Sequence, residues 1–240
     1  MDMRGLTKVL IVIVVILAIV VGALSFLYVN DEGPLKSTLN AKVLVLCVDP
    51  SEGRPGPGAV DMAFVVELQD GNVKNMTPVY PGGMRHPTAE APDFVKTQGL
   101  YVLVLHDSLW YENTTYDAQL AQEIVEYNTG MKTDVVVMVK PEAIDAVIQS
   151  IGGVNVEGQG YVQGGTLEFL RAEQSEGGMS RGNAIESVGN AIKSAAQDKD
   201  KRQTIITTII AQYNAGNIIV EPNDWAVRFM TAESINKVFG

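Results

Sequence analysis

Residues 9–29 form a twenty-one-residue stretch without a single charge, and it constrains the rest of the chain more than any other feature. At about 1.5 Å per residue a helix of that length crosses a hydrocarbon layer of about 30 Å. Arg4 and Lys8 precede it and Asp31 and Glu32 follow it. That asymmetry predicts an N-terminus in the cytoplasm and everything after Asn30 outside. A cleaved signal peptide is the competing reading, but the apolar run is longer than the usual signal core and Val21-Gly22-Ala23 makes a poor cleavage site. The expectation is an uncleaved single-pass anchor in the cell membrane. Residues 1–30 are then cytoplasmic tip and transmembrane helix, residues 31–40 a short stalk broken by Gly33-Pro34, and residues 41–240 an extracellular domain.

With a formal net charge of -10 and a pI near 4.7, the chain is a poor match for nucleic acid. A polyanionic partner would have to be held by a local basic cluster or a metal. The 46% of hydrophobic residues suffices for one domain with a proper core. Cys47 is the only cysteine, so no intramolecular disulfide exists, and its place inside an apolar run makes it a core residue. Asn75-Met76-Thr77 and Asn113-Thr114-Thr115 are formal glycosylation sequons.

The external part is organised around residues 42–68. Residues 43–48 are continuously apolar, as in a strand covered on both faces, and Asp49 follows at the carboxyl end, where open α/β sheets place their ligands. Three glycines and three prolines between Pro50 and Ala59 impose an irregular surface loop. Asp61 then opens a second strand over residues 62–68. Two carboxylates facing each other across such a loop suit a hard cation and a phosphate. The plainer alternative is that Asp49 makes an Asx-type turn with Pro50 and Asp61 is a solvated strand-start residue.

Further along, Asp70-Gly71 predicts a tight hairpin returning into a strand over residues 73–79. Residues 80–93 read as a second glycine and proline loop, carrying Arg85 and His86. Residues 100–105, LYVLVL, read as another buried strand, ending at His106-Asp107. Helices are expected over residues 116–128, closed by Gly130, and over 141–149, with a strand at 135–139 between them and a short one at 154–156. Residues 166–173, 180–196 and 198–213 read as helical, with Ser180 and Asp198 as N-caps. An edge strand at 218–220 and a closing helix at 224–230 follow. Strands alternating with helices predict an α/β fold, an α/β/α sandwich with a central mixed sheet.

No Gly-x-Ser-x-Gly, Walker A, His-Glu-x-x-His or paired Cys-x-x-Cys occurs, which removes the commoner hydrolase, nucleotide and zinc readings. His86 and His106, the only histidines, form a metal or acid/base pair only if the fold joins them; otherwise each caps a local turn. Arg54, Arg85, Arg171 and Arg181 lie in or beside glycine-rich segments, where backbone approaches a phosphate closely and a guanidinium grips it bidentately. Each of them alone is more simply a solvated surface charge.

The succession of VLVLCVDP, a Gly/Pro loop, a second aspartate before an apolar strand, DVVVMV and AIDAVIQSIGGVNV resembles the extracellular LytR-CpsA-Psr domain. It resembles more closely still the domain-of-unknown-function family 4012. The likeness covers about residues 41–212, and GGVNV with its preceding helix is the most specific part. It implies a membrane-anchored phosphotransferase that moves a polyprenyl-pyrophosphate-linked glycan onto a cell-wall acceptor. It further implies a magnesium ion on Asp49 and Asp61, pyrophosphate on Arg54, Arg85, Arg171 and Arg181, and Asp61 and Arg181 as the catalytic pair. The chain departs from the LytR-CpsA-Psr pattern at Ala59-Val60, where an arginine motif is expected, and at Glu173 and Ile185, where further basic residues are expected. Those departures leave a non-enzymatic envelope module, binding glycan or protein on the same scaffold, as the alternative. The implied partners are the lipid bilayer and a polyprenyl-phosphate glycan.

Overall fold

β1 (Ala41–Asp49) is buried along nearly its whole length because it lies inside a sheet with an apolar core on each face. The computed structural model describes residues 40–69, 72–156, 160–165, 188, 191–192 and 194–229. β1 pairs antiparallel with β2 (Ala59–Gln69), which pairs antiparallel with β3 (Asn72–Val79). Two short antiparallel pairs lie outside this sheet: β4 (Arg85–Glu90) with β5 (Val102–Val104), and β7 (Val154–Val156) with β8 (Gly160–Val162). On the other flank of β1, β6 (Val135–Val139) runs parallel to it and β9 (Ile218–Glu221) closes the edge antiparallel. The sheet order is β3-β2-β1-β6-β9.

Alternation along β1 divides its side chains between two cores. Val43, Val45 and Cys47 join Val135, Val137 and Val139 beneath the helices α3 (Pro141–Ser150) and α4 (Lys199–Asn214). Leu44, Leu46 and Val48 join Val136 and Met138 beneath α2 (Thr114–Thr129). Two further helices, α1 (Asp93–Thr97) and α5 (Asp224–Phe229), are short. The result is helices on both faces of a mixed sheet, as the alternation of elements in the sequence predicts. Helix ends follow the sequence closely. Asp198 accepts from the amides of Asp200 and Lys201, Asn113 from that of Tyr116, and Gly130 closes α2 at φ 73°.

Two expectations differ from the structure. Residues 80–93 are not one loop, since they contain β4 and the first residue of α1. Pro87 within β4 has no N–H, so the ladder to β5 is irregular between Arg85 and Glu90, and the segment reads locally as loop. Residues 100–105 are not a buried strand of the main sheet. Only Leu103 and Leu105 reach the core, Tyr101 and Val102 face solvent, and β5 pairs with β4 alone. A six-residue apolar run carries no alternation from which its outer face could be recognised.

Among the described residues no helix is long and apolar enough to cross a membrane. The stretch at 9–29 lies outside them, as do the predicted helix at 166–173, the start of that at 180–196, and Arg171 and Arg181.

Candidate functional site

The site begins with a β-bulge. In the β1–β2 ladder Cys47 faces Met62 and Val48 faces Val60, which makes Asp61 the inserted residue of the bulge. Regular alternation from Met62 and Ala63 would place Asp61 in the apolar core under α2. Because of the bulge Val60 fills that core instead, and Asp61 stays half-buried at the sheet end.

Asp49, the last residue of β1, accepts from the Ser51 amide at 2.8 Å and the Ser51 hydroxyl at 2.6 Å. That closure starts a 3-10 turn over Pro50–Glu52 that carries Glu52 back toward the strand end. One carboxylate oxygen from each of Asp49, Glu52 and Asp61 then lies within 4.8 Å of the others. Gly58 holds the loop against β1 at φ 138°, where a Cβ would meet the Asp49 carbonyl at 2.4 Å. The sequence posed a turn at Asp49 or a site at Asp49 and Asp61 as alternatives. The Asx-type turn exists, and it is also what brings a third carboxylate to the pair. Asp61 lies within β2 rather than at its start.

Arg54 lies inside the loop, not on its surface. Its guanidinium is 2.5 Å from Asp107, 3.0 Å from Glu52 and 5.7 Å from the Trp110 ring centroid, with only 6% of the side chain exposed. Its Nε makes no hydrogen bond among the described residues. His106 Nδ1 sits 3.0 Å from the Val60 carbonyl, which can only accept, so Nδ1 carries the hydrogen and Nε2 faces Glu52 at 3.4 Å. Four carboxylates against one guanidinium leave the cluster strongly negative, and a phosphate can approach only together with a cation. The same field reaches the core: burial first, and then the Asp61 charge, push the Cys47 thiol up to about 12.

Of the other sequence candidates, Arg85 is exposed on β4, opposite Val104, which stands two residues before His106. Its backbone is held on both sides by Asn128, whose Oδ1 accepts from the amide and whose Nδ2 donates to the carbonyl. His86 is not joined to His106. Its Nδ1 accepts from the Thr88 and Ala89 amides, so Nε2–H donates to Glu123 at 2.7 Å and ties β4 to α2. Glu52 and Asp107 were not singled out from the sequence. Glu52 had a usable cue in its place three residues after Asp49 across a proline, whereas Asp107 meets Arg54 across fifty-three residues of chain.

Behind the site Asp117 is fully buried. Its Oδ1 accepts from the Tyr111 amide at 3.1 Å, and its Oδ2 has no hydrogen-bond partner among the described residues. Burial pushes its carboxyl from 3.8 up to about 7, against a smaller lowering by that amide. The folded state therefore keeps a proton that the unfolded chain loses. Stability falls as pH rises from about 4 to about 7 and is level above that. Asp117→Asn keeps the acceptor and removes the charge. It is expected to flatten that slope and to stabilise the protein at pH 8 by about 1–3 kcal/mol. Urea unfolding of both proteins between pH 4 and 8 tests this, and parallel curves would contradict it.

Residues 40–174 match the model of a family described as "Protein of unknown function (DUF4012)". Among solved structures the chain is similar to TagV of Bacillus subtilis, at 17% identity and TM-score 0.50 over 85% of this chain and 80% of that one. It is also similar to a LytR-Csp2A-Psr enzyme from Actinomyces oris, at 13% identity and TM-score 0.50 over 84% and 81%. A third is an Enterococcus faecalis protein described as a transcriptional regulator, at 13% and 0.50 over 83% and 72%. At these identities the shared property is the fold. No curated protein sequence matches the chain.

Proposed function

The chain belongs to the DUF4012 family, and from that premise we propose that it is a membrane-anchored cell-envelope protein recognising a polyprenyl-pyrophosphate-linked glycan. The fold it shares with a LytR-Csp2A-Psr enzyme supports a glycan-related role in the envelope. The charge pattern around residues 9–29 supports an outward-facing domain. The observation that carries the reading is the trio Asp49, Glu52 and Asp61 at the carboxyl end of β1.

The trio fits a hard divalent ion. Around magnesium, bonds of about 2.1 Å place neighbouring oxygens about 3.0 Å and opposite ones about 4.2 Å apart, so oxygens within 4.8 Å of one another reach it by side-chain rotations on the order of an ångström. Bound there, magnesium would supply charge neutralisation for a pyrophosphate. Asp49, Glu52 and Asp61 would hold it, with Asp49 oriented by Ser51 and Asp61 by the bulge. Arg85, exposed on β4, and Arg171 and Arg181 would add the positive charge that the cluster lacks.

In the transferase form, an acceptor hydroxyl attacks the glycan-bearing phosphorus. The P–O–P bond breaks, lipid phosphate leaves, and the hydroxyl proton passes to water. Asp61 and Arg181 would be the catalytic residues, with Arg181 meeting charge on the departing phosphate. The confinement of Arg54 between Asp107 and Glu52 favours the second reading, recognition without transfer, because it removes one cation from the phosphate.

The test mixes a labelled polyprenyl-pyrophosphate glycan with wall acceptor and magnesium, and follows both binding and lipid phosphate. Binding that needs Asp49 and Asp61 is the expected result. Release that needs both Asp61 and Arg181 would establish the transferase, binding without release the non-enzymatic module, and absence of binding would refute both.

A further inference from the structure

Beside the Glu52 turn lies an open cavity of about 820 Å³, within the range of small-ligand sites. Its apolar wall is four rings, Phe94, Trp110, Tyr111 and Tyr116. Phe94 and Trp110 stack at 5.9 Å with 25° between their planes, so Trp110 backs the exposed Phe94 ring, and Tyr111 and Tyr116 meet at 5.4 Å and 56°. Phe94 is 61% exposed and Tyr116 45%, so the wall is not finished by the protein's own core. It is nonetheless rigid. The buried Arg54 guanidinium lies over Trp110, the Gly56 amide donates to the Trp110 carbonyl at 2.9 Å, and Asp117 holds the Tyr111 amide. Gly56 packs so closely that a Cβ would sit 2.1 Å from the Tyr111 carbonyl.

The polar part of the lining selects the ligand. Glu90, Asp93 and Glu112 stand against Lys96 alone. Lys96 is already engaged, at 2.8 Å from Glu90 and 3.2 Å from Asp93. The cavity therefore repels phosphate and carboxylate groups and offers acceptors to hydroxyl, amide or ammonium donors. Flat rings that accept the C–H face of a pyranose, edged by carboxylates that accept its hydroxyls, are a saccharide-binding arrangement.

We infer that this cavity is a subsite for a neutral or amine-bearing oligosaccharide, separate from the acidic trio and joined to it through Trp110, Arg54 and Glu52. The inference rests on the glycan reading for the class of ligand and narrows it. The anionic end of a lipid-linked donor belongs at the trio, and the uncharged saccharide, of donor or acceptor, lies along the rings.

The experiment uses the full-length protein in a detergent that carries no sugar. Calorimetry measures binding of N-acetylglucosamine tetramer, glucosamine tetramer, galacturonate tetramer and choline. The first two are expected to bind, with the galacturonate at least about tenfold weaker. Phe94→Ala removes an exposed ring that supports no core, so it should weaken the neutral tetramer about tenfold with unchanged Tm. Glu112→Lys should narrow the gap to galacturonate. The inference is overturned if neither aminosugar tetramer binds, if Phe94→Ala leaves their binding unchanged, or if choline binds as tightly as glucosamine tetramer, which would make the rings an ammonium cage. Binding of a polyprenyl pyrophosphate with magnesium is measured on the same preparation. Its loss alone refutes the lipid-linked reading, and loss of sugar binding alone refutes the subsite.

Discussion

Arg54→Ala is expected to destabilise the protein by about 3–5 kcal/mol, the cost of removing one partner from a buried ion pair. Asp107, with 7% of its side chain exposed, would be left as an uncompensated buried carboxylate. Trp110 would lose the cation over its ring and Glu52 the guanidinium that holds its turn. One substitution should therefore loosen the acidic trio and the aromatic wall together. Arg54→Met combined with Asp107→Leu removes both charges and keeps the volume, so it should recover most of the loss. Urea unfolding of the parent and the two variants measures this. A cost within about 0.5 kcal/mol for Arg54→Ala would place Arg54 with ordinary surface charges.

Arg54 also shows where the sequence stops being informative. Its neighbours, glycine and proline on an irregular loop, say that backbone can approach a ligand there. They do not say that an aspartate fifty-three residues later claims the guanidinium first. Asp61 is a similar case. Its carboxylate was legible as a candidate, but its position depends on a bulge, and a bulge is a property of the register between two strands rather than of either one. The four rings of the cavity come from α1, the segment before α2, and the first turn of α2, and nothing in their spacing announces that they meet. What was legible has a local cause. The continuous apolar runs of β1 and β6 are buried on both faces, Asp198 and Asn113 sit where helix N-caps are needed, and Gly130 takes the left-handed conformation that ends α2.

The trio at the end of β1 is the centre of the proposed site. Three carboxylates held within 4.8 Å of one another, with Arg54 beside Glu52, repel one another, and a ligand that binds only the folded state stabilises it by RT ln(1 + [L]/Kd), about 2.7 kcal/mol at a hundredfold excess over Kd. Magnesium or manganese added together with a polyprenyl pyrophosphate should therefore raise the Tm of the full-length protein. Asp49→Asn and Asp61→Asn are the informative variants. An asparagine at 49 still offers an oxygen to the Ser51 amide, so the turn that positions Glu52 survives while the charge is lost. The predicted result of that thermal titration is a clear rise in Tm for the parent and none for either variant; equal rises in all three proteins would contradict a cation and pyrophosphate site at Asp49, Glu52 and Asp61.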